Sequence, residues 1–134
     1  MMANRRELLI GFGATLLAGG LGGVGSRAWA AAPGSWVLYV SALDCRICRA
    51  WEFDHKNDFM QGLQRHGIGF RQLAVASLRD VRAENEWPAD LRWIRDAYPN
   101  MKGTPWFFVV SGRTIQSVAY GTDMWRTKLA AMAA

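Results

Sequence analysis

Two cysteines three residues apart, in Cys45-Arg46-Ile47-Cys48, stand where one local pattern stops and another starts. Before them, Trp36-Val37-Leu38-Tyr39-Val40 is a short β-branched and aromatic run after Pro33-Gly34-Ser35, the mark of a buried strand. After them, Ile47, Trp51, Phe59 and Leu63 recur at multiples of four. This predicts a helix from Cys45 to about His66, closed by Gly67 and Gly69. A helix N-terminus carries unsatisfied N–H groups and a partial positive charge, so it stabilises an anion. The thiolate is the reactive form of cysteine, and Cys45, at the exposed start of the helix, is expected to have a lowered pKa, with Arg46 and Arg49 helping. Cys48 lies one turn deeper and is placed to attack a mixed disulfide on Cys45 and release the substrate. The Asp44 carboxylate opposes this, because a negative charge close to the nucleophile raises its pKa.

The remaining pattern alternates. Residues 70–76 read as a second strand. Ser77 followed by Asp80 predicts a capping box and a polar helical stretch over 78–86. Pro88 suits the first turn of another helix, with Trp87, Leu91, Ile94 and Tyr98 lining one face. Residues 106–110 make the strongest strand, and Ser111-Gly112-Arg113 turns it into 114–120 as an antiparallel hairpin. A last helix is expected to run to about residue 131. The first three strands, joined by helices, are expected to be parallel, with an antiparallel strand added by the hairpin. The fold class is α/β, with helices on both faces of one small mixed sheet.

Gly103-Thr104-Pro105 directly precedes the strand at 106–110. A proline there, after threonine, is a candidate cis bond. Taken with the CxxC, it resembles the thioredoxin superfamily over most of residues 36–129. The resemblance implies a three-layer α/β/α sandwich with a mixed, mainly four-stranded sheet. It also implies thiol–disulfide oxidoreductase activity on protein or small-molecule thiols, with the Cys45–Cys48 disulfide as the redox centre and no separate cofactor or bound metal. Carried over residue by residue, Cys45 becomes the nucleophile and Cys48 the resolving thiol. Thr104 and Pro105 become a substrate-docking loop with Trp106 beside it. Asp44, Arg46 and Arg49 become modulators. The run Cys48-Arg49-Ala50-Trp51-Glu52 is similar to exported, SoxS-like thioredoxins linked to sulfur oxidation, for which a membrane electron donor is an implied recycling partner. The chain departs from the family in three places. Asp44 stands where tryptophan often precedes the first cysteine. Tyr39 occupies the place of a buried acidic residue, and Phe53 lies near the place of a helix-bending proline.

The N-terminus has its own pattern. Arg5-Arg6 precedes an apolar, glycine-interrupted stretch over 8–24, and Ala28-Trp29-Ala30 offers small residues at a signal-peptidase spacing. This resembles a twin-arginine export signal. Residues 1–30 are therefore expected to be a removed signal, residues 31–134 the domain, and the periplasm its location, where disulfides form. An uncleaved anchor and a cytoplasmic helix are the other readings. The chain's length of 134 residues suits one domain. Its net charge of +5 is scattered rather than clustered, which disfavours a nucleic-acid partner.

Other readings of the cysteines stay open. A structural disulfide closing so small a loop stabilises little. Zinc would have to recruit His55 and His66, which sit on the same predicted helix as both cysteines. A non-enzymatic module binding Cu(I) or thiol ligands could use the same dithiol. His55 reads either as a half-buried helix residue or as a proton relay. Trp106 reads either as core or as a substrate-facing wall.

Overall fold

The computed structural model describes residues 34–121. The expected signal and last helix lie outside them. β1 (Trp36–Ala42) and β3 (Trp106–Ser111) are the central strands of a four-stranded sheet of order β2-β1-β3-β4, with β2 at Gly69–Val75 and β4 at Thr114–Tyr120. Val37 to Val40 and Phe107 to Val110 are fully buried, because both faces of the sheet are covered. Their side chains alternate between two layers. Tyr39 pairs in register with Phe107, and their rings stack 5.0 Å apart. Leu38 pairs with Phe108, which meets Tyr98 edge-on at 5.3 Å on the opposite side. The result is a three-layer α/β/α sandwich.

The first helix forms as α1 (Arg46–Trp51), a π turn (Glu52–Lys56) and α2 (Asn57–Arg65). The wider i→i+5 ring of the π turn slows the rotation about the helix axis. Trp51 and Phe59, eight residues apart, therefore share a face and meet edge-on at 5.6 Å. Of the four stripe residues, Trp51, Phe59 and Leu63 are buried, but Ile47 is 55% exposed. Ile47 sits in the first turn, past the end of β1, where the sheet offers nothing to pack against. The expected helix over 78–86 is instead two 3₁₀ turns, Leu78–Asp80 and Glu84–Glu86. The next helix begins as a 3₁₀ turn at Ala89–Leu91 and becomes α3 at Arg92–Ala97; of the expected stripe, Trp87, Leu91 and Ile94 are buried and Tyr98 is half-buried.

The direction of β3 corrects the sequence reading. β2 is parallel to β1, but β3 is antiparallel to it, with Trp106 opposite Val40. The segment between β2 and β3 is broken into short turns and a six-residue helix, and it returns the chain to the end of the sheet it left. A parallel β3 would start at the opposite end from Cys45. The antiparallel one brings Thr104 and Pro105 to it.

Candidate functional site

β1 ends at Ala42, and a two-residue turn leads to Cys45, whose N–H donates to the Ala42 carbonyl at 3.1 Å. Leu43 N–H donates to the Val75 carbonyl at 2.9 Å, tying this turn to the end of β2. Cys45 has extended backbone (φ −94°, ψ 106°) and is the N-cap of α1. Its Sγ accepts the Cys48 N–H at 3.1 Å, so an orphan donor of the helix terminus points at sulfur. Cys45 and Cys48 form a disulfide.

The Thr104–Pro105 bond is cis, and the Thr104 carbonyl oxygen lies 3.8 Å from Cys45 Sγ. The fold is thioredoxin-like. This thioredoxin-like domain carries its CxxC disulfide at the start of the first helix, beside a cis-proline loop. Compared with family models, curated proteins and solved structures, the chain matches none of them. The assignment therefore rests on topology and on the residues brought together at the site.

Exposure does not separate the two cysteines, contrary to the reading of Cys45 as an exposed helix start. Cys45 is 2% exposed and Cys48 1%. The difference between them is positional: Cys45 holds the cap and faces the Thr104 loop. Pro105 is buried, and Trp106 is half-buried, packed against the core. Trp106 Nε1 donates to the Gly103 carbonyl at 2.9 Å and its ring lies 4.7 Å from Tyr120, so it braces the loop from behind. Gly103 has φ +71°, which disfavours any side chain, and an added Cβ would lie 2.9 Å from Tyr120 Oη. Tyr120 is 49% exposed and its hydroxyl can give way, so the backbone conformation dominates. Gly103→Ala is expected to destabilise the protein by about 1–2 kcal/mol and to lower turnover by shifting Thr104. Chemical denaturation and a disulfide-reduction assay read the two effects.

Asp44 does not aim its carboxylate at the thiol chemistry. It accepts the Leu78 N–H at 2.8 Å and the Ser77 hydroxyl at 2.9 Å. Ser77 caps the same 3₁₀ turn, but through Arg79 N–H and without the predicted reciprocal partner Asp80. The Leu78 N–H, followed by the Ser77 hydroxyl, holds the Asp44 carboxyl below its ordinary pKa of 3.8. A lowered folded pKa contributes stability that is present above the ordinary value and is lost as pH falls through the folded one. The Leu78 amide is therefore expected to be protected from hydrogen exchange at neutral pH and to lose protection as the pH drops below 3.8. In Asp44→Asn that pH dependence should vanish. Arg49 is exposed, and its guanidinium donates to the Leu43 carbonyl, bracing the turn before Cys45. Arg46 is exposed on the first turn of α1.

A polar cluster on the helix side of β1 was not anticipated. Tyr39 is fully buried, and its hydroxyl donates to the Cys48 carbonyl at 3.5 Å. Burial, followed by the Glu52 carboxylate, pushes its phenol pKa well up, so it stays a neutral donor. Gln72 on β2 donates to Ser41 Oγ at 3.0 Å and to Glu52 Oε1 at 2.6 Å, and accepts from Lys56 Nζ at 2.6 Å. The sequence signals for this cluster were that Tyr39 and Ser41 share a strand face and that Tyr39 stands where the resemblance puts a buried acidic residue. His55 is half-buried in the π turn and His66 exposed beyond α2. Among the described residues, no group of three or more His, Cys, Asp or Glu side chains is placed to hold a metal ion.

Proposed function

We propose that this chain is an exported thiol–disulfide oxidoreductase, with Cys45 as nucleophile and Cys48 as resolving thiol. The observation that carries the reading is the N-cap position of Cys45, its Sγ held by the Cys48 N–H at 3.1 Å with the Thr104 carbonyl alongside. In the reducing direction, the Cys45 thiolate attacks a substrate disulfide. One substrate sulfur leaves as a thiolate and takes a proton, and the other stays bonded to Cys45. The Cys48 thiolate then attacks Cys45 Sγ and the second substrate thiolate leaves. Substrate gains two electrons, and the Cys45–Cys48 pair loses them to become a disulfide. Protein and small-molecule disulfides both suit this chemistry, and a membrane electron donor would return the pair to the dithiol. The loop edge at Thr104 would pair with extended substrate backbone.

Catalysed reduction of insulin by a dithiol, set beside titration of the reduced protein with Cu(I), tests the reading. Turnover that needs both cysteines supports it. Stoichiometric Cu(I) uptake without turnover would replace it with a copper-binding module. Export rests on the paired arginines. Arg5→Lys with Arg6→Lys is expected to leave precursor in the cytoplasm, and unchanged periplasmic yield would remove the twin-arginine assignment.

A further inference from the structure

β2 is an edge of the sheet, with β1 on one side and no strand among the described residues on the other. Backbone groups of a strand point to alternate sides, residue by residue. The Gly69 N–H donates to the Ser35 carbonyl at 3.2 Å, and the Val75 carbonyl accepts the Leu43 N–H at 2.9 Å. The odd-numbered residues of β2 therefore bond towards β1, and the N–H and C=O of Phe70, Gln72 and Ala74 point away from the sheet. The row of free donors stops there, because the Ile68 N–H is taken by the Leu63 carbonyl and the Ala76 N–H by the Glu86 carboxylate. Exposed edges are usually protected by proline, lysine or a bulge. β2 has none of these. Its one charged side chain, Arg71, lies on the opposite face from Phe70 and Gln72 and is held by Asp90. Beside the edge runs a groove lined by Asn57, Met60, Gln61, Gln64, Ile68 and Phe70, none of them charged.

We propose that β2 pairs antiparallel with β2 of a second copy of this chain, about a two-fold axis beside Gln72. This register sets Gln72 opposite the partner's Gln72 and Phe70 opposite the partner's Ala74, and each facing pair exchanges both of its outward hydrogen bonds. The row of free groups is centred on Gln72, so it is complementary to itself. Side-chain size matches, because the large Phe70 ring meets the small side chain of the partner's Ala74. Charge matches as well. The Gln72 amide donates to Glu52 and to Ser41, which pairs in register with Ala74, so the Glu52 carboxylate lies towards the Ala74 end of the strand. Lys56 bonds the oxygen of the same amide and sits 5.9 Å from the centroid of the Phe70 ring, towards the other end. Antiparallel pairing brings the Phe70 end of one copy to the Ala74 end of the other, and so brings Lys56 to the partner's Glu52, once on each side of the axis. On the other face Arg71 meets the partner's Leu73, and its charge is already matched by Asp90. The Cys45 ends of the two copies point in opposite directions, so both sites stay open, and the inference does not depend on the chemistry proposed for them.

Sedimentation equilibrium of the full chain should show a concentration-dependent monomer–dimer equilibrium. In hydrogen exchange, the Phe70, Gln72 and Ala74 amides should gain protection as the concentration rises, while β1 protects Arg71 and Leu73 throughout. A chain that stays monomeric up to about 1 mM would overturn the proposal and leave the edge to a strand of another protein. Equal protection of the outward amides in the monomer would also overturn it, by putting another segment of the same chain on the edge. Ala74→Pro removes an outward donor and no bond to β1, and should abolish the dimer while circular dichroism shows the fold retained. A dimer that survives in folded Ala74→Pro uses another surface and refutes the pairing. A second test holds even if that variant does not fold. Lys56→Glu or Glu52→Lys alone sets like charges against each other on both sides of the axis and should weaken self-association about tenfold. Mixing the two variants restores opposite charges at both contacts and should recover the wild-type affinity in the heterodimer. Self-association that is unmoved by either change, or not recovered on mixing, would contradict the proposed register.

Discussion

Cys48→Ser is expected to accumulate a mixed disulfide between Cys45 and its substrate, whereas Cys45→Ser accumulates none and loses turnover to background. The asymmetry follows from the cap. In the disulfide a helix-terminal N–H points at Cys45 Sγ, and the same donor would favour a thiolate there once the bond opens. Cys45 Sγ also adjoins the Thr104 edge, where a substrate would lie. Cys48 has neither feature, and its carbonyl is engaged from the far side by Tyr39. Without Cys48 the second attack cannot occur, and the intermediate persists until an external thiol removes it. Mass spectrometry of trapped species locates the bond. Adducts found mainly on Cys48 in the Cys45→Ser variant would reverse the roles.

Trp51→Ala is expected to be the most damaging core substitution near the site. Trp51 is 1% exposed and packs against Tyr39 at 4.7 Å, Phe107 at 5.0 Å and Phe59 at 5.6 Å between ring centroids. It joins the helix to both central strands one turn after Cys48. Truncating a buried tryptophan costs about 3–5 kcal/mol in transfer and cavity terms. In a domain of this size, that lowers Tm by at least about 12 °C. Because Trp51 carries no reacting atom, protein that remains folded should retain disulfide exchange. Calorimetry measures the first effect, and turnover well below the variant's Tm the second. A Tm within a few degrees of wild type would show that the aromatic cluster does not hold the helix to the sheet.

Local patterns in the chain revealed the strands, the turn at Gly112 and the CxxC at a helix start, since periodicity and turn chemistry act over a few residues. The cis bond was legible because Gly103, Thr104 and Pro105 stand together before a buried strand. The direction of β3 was not legible. A strand, a helical pattern and another strand do not say whether the connection runs the length of the sheet or returns to the same end. The 3₁₀ turns at Leu78–Asp80, Glu84–Glu86 and Ala89–Leu91 decide that, and each is too short to leave a periodic signal.

Long-range polar partners were hidden for a related reason. Asp44 looked like an electrostatic opponent of Cys45 because the two are adjacent in sequence. Its carboxylate is instead taken up by Ser77 and Leu78, which β2 delivers to the same end of the sheet. Gln72 reaches Ser41 and Glu52 only because β2 pairs with β1 in a register that sets Gln72 beside Tyr39. The burial of Cys45 was missed in the same way. A helix start reads as exposed until a distant loop, here the one carrying Thr104, is folded over it.

Near-complete burial of both sulfurs makes native-state exchange the most direct test of the central claim that this disulfide is a reacting group. The oxidised full chain is equilibrated with graded glutathione buffers under folding conditions. The Cys45–Cys48 bond is then quantified by alkylation and mass spectrometry while circular dichroism follows the fold. The account predicts reversible two-electron opening with the fold intact and a glutathione adduct on Cys45 in the Cys48→Ser protein. A disulfide that opens only when the protein unfolds would contradict it and leave Cys45–Cys48 as a structural crosslink.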